Sequence, residues 1–142
     1  MDININTETK SQTEKSHTDN QELISKYEQQ ISIAIWIQTI GKIMEVLYLT
    51  KIMMISEENQ ADPDEHQVLQ GVWIQTIGQL LEAIGVTKEV LAIDKTLLEL
   101  EGTTLANIGD WVQVVGGIVE AHAGSQIIAE EREKLAANLF AP

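Results

Sequence analysis

From residue 31 onward, apolar side chains fall on a seven-residue grid in three stretches. These are "AIWIQTIGKIMEVL" from Ala34, "VWIQTIGQLLEAIG" from Val72 and "GDWVQVVGGIVEAHA" from Gly109. Seven residues make two helical turns, so each series of the grid runs along one edge of a helix. With the grid lettered a to g, small residues hold position a: Ala34 and Gly41, then Gly71, Gly78 and Gly85, then Gly102, Gly109, Gly116 and Ala123. Position d holds Ile37, Met44, Ile74, Leu81, Leu105, Val112 and Val119. Position g holds Ile33, Ile40, Leu47, Ile77, Ile84, Ile108 and Val115, and position c holds Trp36, Ile43, Trp73, Leu80, Trp111 and Ile118. Positions c, g, d and a form one apolar arc of about half the circumference. Beside its glycine edge, position e carries Gln38 and Glu45, Gln75 and Glu82, Gln113 and Glu120.

The same pattern predicts an all-α fold with almost no strand. A long first helix is expected over residues 21–55, ending before "SEENQADPDEH", the clearest linker. Asp62 reads as an N-cap with Pro63 at the first helical position and Asp64 and Glu65 favoured by the helix dipole. The second helix is expected to reach Ile84, with Gly85 as its stop and Thr87 as the next cap. A third, "KEVLAIDKTLLELE", precedes "GTT", where Thr103 or Thr104 can cap a fourth. That one bends at "AGS" and continues through "QIIAEEREKLAANLF", with Glu130 and Lys134 paired four residues apart.

The three stretches are copies of one another. Trp36, Trp73 and Trp111 lie 37 and then 38 residues apart, and each is followed by Gln, Gly and Glu at constant intervals. That period predicts equivalent helical units, arranged as an antiparallel bundle or as stacked helical hairpins. Each interior glycine costs about 1 kcal/mol of helix propensity relative to Ala. A line of them offsets that cost by letting another backbone approach closely. The expected interaction face is therefore Trp36, Gln38, Gly41 and Glu45, Trp73, Gln75, Gly78 and Glu82, and Trp111, Gln113, Gly116 and Glu120, with the glycines as groove, Gln and Glu as rim and the tryptophans on the far border.

The W-x-Q-x-x-G core resembles the small repetitive helical proteins of Gram-positive spore-forming bacteria that are grouped as a domain of unknown function. The resemblance spans residues 31–124 and implies no catalytic residue and no ligand. The polar N-terminal stretch and the "EEREKLAANLFAP" ending lie outside it.

Composition narrows the functional classes. The 142 residues suffice for one domain, and residues 21–142 are expected to form a single helical repeat domain. Residues 1–20 are polar with almost nothing to bury, and are expected to be a disordered arm. A net charge of -13 argues against nucleic acid and anionic lipid as partners. The absence of cysteine removes disulfides, thiolate catalysis and Cys-ligated metals. No secretory signal is visible at the N-terminus, so a cytoplasmic location is expected.

Candidate chemistry is sparse. His122 falls on position g near the end of the apolar face, and His66 lies among Asp62, Asp64 and Glu65 without the spacing of a calcium loop. Glu45, Glu82 and Glu120 occupy equivalent positions, whereas acid-base carboxylates need environments that split their pKa values. No nucleophile with a base, phosphate loop or HExxH pattern is present, so no enzyme, cofactor or metal is expected. What remains is a scaffold or interaction protein whose partner is itself, as a homo-oligomer, or another helical protein. The alternative is a membrane-active protein, encouraged by residues 31–55 with their few charges and interfacial Trp and Tyr. Membrane-surface helices favour Lys and Arg on the polar face, and this polar face carries Gln and Glu.

Overall fold

A computed structural model describes residues 3–92 and 97–140, with side chains described from residue 18 onward except at 58 and 140. Every element among the described residues is helical: α1 (Ile3–Ile55), α2 (Glu57–Ala61), α3 (Pro63–Leu91) and α4 (Leu97–Phe140). The fold is all-α, with the helices packed against one another. The three Trp-containing stretches fall one each on α1, α3 and α4.

The turn between α1 and α3 is built by local capping. Ser56 caps α2 by accepting a hydrogen bond from the Asn59 backbone N–H at 3.2 Å. Asp62 then caps α3, its Oδ1 accepting from the Asp64 backbone N–H at 2.9 Å, with Pro63 at the helix start. Both caps satisfy amides that have no partner within the helix. The linker expected at "SEENQADPDEH" thus contains a one-turn helix of its own.

The other expected boundaries differ. The first helix begins at Ile3, ahead of the residue 21 expected for its start. The second does not stop at Gly85 but runs on to Leu91, where Ala92 closes it. Lys88 to Leu91 and Leu97 to Glu101, expected as parts of one short helix, belong to α3 and α4 respectively; the residues between 92 and 97 lie outside the described ones. Thr103 and Thr104 are not caps: their hydroxyls donate back to the Glu99 and Leu100 carbonyls inside α4. Helix α4 is continuous through "AGS", where Ser125 donates to the Ala121 carbonyl. The physical reason lies in the backbone: a glycine stop uses a left-handed conformation, and no glycine among the described residues has positive φ.

Helix α3 is the centre of the molecule. It runs antiparallel to α1 on one side and to α4 on the other, and among the described residues no Cα of α1 comes within 8 Å of one of α4. The arrangement is an open layer of three long helices. Buried positions hold Val72, Thr76, Gln79, Ala83 and the glycines of α3, with Ile35, Thr39, Val46 and Met53 on α1. Thr39 and Thr76 satisfy their buried hydroxyls on the carbonyls of Ile35 and Val72, four residues back. The large residues of positions c and g point outward: Ile77, Ile84, Ile108, Val115, Trp111 and Ile118 are all exposed. On α1 the buried stripe is b and f, so the apolar arc of that helix faces away from α3.

Candidate interaction interface

The glycine edges of α3 and α4 lie on each other. A methyl group built on Gly78 would sit 2.6 Å from the Gly109 carbonyl oxygen and 2.7 Å from the Gln113 backbone nitrogen. One built on Gly71 would sit 2.8 Å from the Gly116 carbonyl oxygen and 2.7 Å from the Glu120 nitrogen. Gly85 and Gly102 oppose each other in the same way, with Ala106 against Gly85 and Glu89 against Gly102. All these distances are far inside van der Waals contact, so the two backbones occupy the space that side chains would otherwise need. Here the glycines serve dispersion and weak Cα–H···O contacts between helices.

A polar ladder flanks the seam. Gln75 Nε2 donates to Glu120 Oε2, and Gln113 Nε2 donates to Glu82 Oε2 at 2.8 Å. Glu82 Oε2 also accepts from Gln79 Nε2 at 3.1 Å. The two cross-helix pairs are related by an approximate two-fold: in each, the Gln two residues after one Trp meets the Glu nine residues after the other. Such charge-assisted bonds fix the sliding register of two helices that glycine alone would leave free to shift. Lys88 and Glu101, 3.7 Å apart and largely exposed, close the seam at its far end and contribute little to stability.

The third copy, on α1, has the same residues and none of these contacts. Around Gly41 a built methyl group would meet nothing within 4 Å. Gln38, Glu45, Ala34 and Gly41 are exposed, as are the apolar residues of the same face, with Ile37 at 65% and Met44 at 50% of full exposure. Glu45 is held by Lys42 at 2.9 Å, three residues before it, in the place where Gln79 holds Glu82. Of the twelve residues expected as one interaction face, the Gln, Gly and Glu of α3 and α4 form a closed set and Gln38, Gly41 and Glu45 of α1 an open one, while the tryptophans belong to neither.

The tryptophans have individual surroundings. Trp36 Nε1 donates to Thr87 Oγ1 at 2.9 Å, linking α1 to α3. Thr87, expected as a cap, instead receives this bond and donates to the Ala83 carbonyl. Trp73 is 41% and Trp111 66% exposed, the latter standing clear of the α3·α4 seam. His122 is exposed beside Gln126, and His66 contacts the Gln60 carbonyl at 3.0 Å. Among the described residues no group of three or more His, Asp or Glu side chains is placed to hold a metal. The partners that the sequence pattern missed are Gln79, Lys42 and Thr87. For the first two the signal was available, because each stands three residues before a rim Glu, a spacing that places two side chains together on a helix.

No family model, no curated protein and no solved structure matches the chain.

Proposed function

We propose that this protein is a non-catalytic, self-assembling helical scaffold that works through glycine-edged helix faces, with itself or another helical protein as partner. In this reading the three repeats are three equivalent helical units, each offering one glycine edge. The observation that supports it is the mismatch between what the fold covers and what it leaves open. Glycines fill the contact between α3 and α4, while an apolar arc of Ile, Leu, Val and Trp stays in solvent along α1, α3 and α4. A contiguous exposed apolar face of this extent marks an interaction surface. The polar groups that edge it favour a protein on the other side, since Gln and Glu at the rim and a net charge of -13 oppose binding to anionic lipid.

A membrane-active role is the second reading, and one observation favours it. Residues 18–55 of α1 are long and apolar enough to cross a membrane, and most of that stretch is not covered by the rest of the chain. Large residues outside and small residues between helices is also how helices pack in lipid. Flotation of the purified protein with neutral and with anionic vesicles, paired with sedimentation in buffer, separates the two. The scaffold reading predicts protein that stays at the bottom of the gradient with both vesicles and sediments as an oligomer. Flotation with neutral vesicles would assign the exposed arc to lipid.

A further inference from the structure

The chain carries three glycine edges, and two of them consume each other. The edge on α1 is left over, and among the described residues it has no partner: the α4 edge is filled by α3, and no described Cα of α1 lies within 8 Å of one of α4. We propose that it is filled by α1 of a second copy of this chain, in an antiparallel two-fold pair with the register of the α3·α4 seam. This rests on the self-assembly reading above and names its contact.

The register follows from residue positions. In the seam, Gly71, two before its Trp, lies over Gly116, five after its Trp. The equivalent residues on α1 are Ala34 and Gly41, so Ala34 of each copy meets Gly41 of the other. In the seam, Gln two after one Trp reaches Glu nine after the other. On α1 these are Gln38 and Glu45, and the two-fold makes each copy both donor and acceptor. The face is thus complementary to itself, small against small and amide against carboxylate, a requirement of an isologous interface. Glu45 is already positioned by Lys42, as Glu82 is by Gln79. Ile37 and Met44, both at least half exposed and equivalent to the partly covered Ile74, Leu81, Val112 and Val119 of the seam, supply the apolar area that the pair removes from water.

One difference from the seam sets its length. Where the seam continues into Gly85 and Gly102, α1 has Tyr48 and Tyr27, both exposed. The two-fold brings Tyr48 of one copy to Tyr27 of the other, so close backbone contact is confined to the stretch between Ala34 and Gly41 and is bracketed by tyrosines.

The test is sedimentation of the full chain over about a hundredfold range of concentration, for the native sequence and three variants. Gly41→Leu folds, because the site is open and the backbone helical, and it is expected to be monomeric. Gln38→Glu sets carboxylate against carboxylate twice and is expected to weaken the dimer at least about tenfold. Combining Gln38→Glu with Glu45→Gln exchanges donor and acceptor and is expected to restore it. An oligomer that ignores Gly41→Leu and Gln38→Glu, or one that the double variant fails to rescue, overturns this pairing while leaving self-assembly standing. A native chain that is monomeric throughout overturns both.

Discussion

Gly41 and Gly78 occupy the same place in nearly the same sequence, "WIQTIGKIMEVL" and "WIQTIGQLLEAI", and the structure treats them in opposite ways. Around Gly78 the backbone of α4 occupies the side-chain space; around Gly41 there is open solvent. The difference shows that a glycine edge is a property of a helix only in potential. Its contribution depends on whether a second edge reaches it, and within one chain two edges can satisfy each other while a third has no counterpart. The same holds for the polar rim: Gln113 reaches Glu82 across the seam, whereas Gln38, with the same neighbours in sequence, has no cross-helix partner among the described residues.

The largest expected effects come from forcing bulk into the closed seam. Gly78→Leu or Gly116→Leu cannot be absorbed by a rotamer change, because the obstructing atoms are backbone. Each is expected to destabilise the fold by at least about 3 kcal/mol, the upper part of the range for overpacking. For a chain of this size that corresponds to roughly 10 °C in thermal midpoint. A melt of either variant within about 2 °C of the native midpoint would contradict close packing at the seam.

Smaller effects are expected from the ladder. Gln113→Ala removes a hydrogen bond to a half-buried carboxylate and should cost about 1–2 kcal/mol in chemical denaturation. Gln38→Ala, measured at concentrations where the chain is monomeric, should leave stability unchanged. Equal losses for the two would mean that α1 has an intramolecular partner after all. Smaller still is Trp36→Phe, which keeps an aromatic ring on the helix and deletes the indole N–H that bonds Thr87. It should cost about 0.5–1 kcal/mol and loosen α1 on α3 without touching the α3·α4 seam, detectable as faster amide exchange confined to α1.

Much of this was legible in the sequence, though not all for the right reason. Helical periodicity, the Asp62–Pro63 start and the seven-residue spacing of small residues all appear where local physics places them. Local physics also explains the misplaced ends. A glycine that ends a helix and one that admits a neighbouring helix look alike in sequence, and Gly85 and Gly102 do the second. Thr87 and Thr104 carry the side chains of caps, yet each bonds the carbonyl four residues back because a tertiary contact holds the helix together beyond it. The apolar arc was visible, but its burial was not. The face of α1 that meets α3 is the narrower stripe of Ile35, Thr39, Val46 and Met53, outside the arc with the larger number of apolar residues. The division of the rim residues into a closed and an open set needs the topology, since the Trp, Gln, Gly and Glu of the three motifs are the same; the difference in sequence lies outside them, in the tyrosines that replace the outer glycines at positions 27 and 48.

The central claim, that one glycine edge is consumed and its copy is open, is tested most directly by the smallest side chain at both places. Gly41→Ala and Gly78→Ala gain the same helix propensity, about 0.5–1 kcal/mol. In paired denaturation at a concentration where the chain is monomeric, Gly41→Ala should be more stable than the native protein. Gly78→Ala should be less stable, because its new methyl group meets the Gly109 carbonyl and the Gln113 nitrogen. Stabilisation by both substitutions would show the α3·α4 seam to be loose, and destabilisation by both would show that the α1 edge is already covered within the chain.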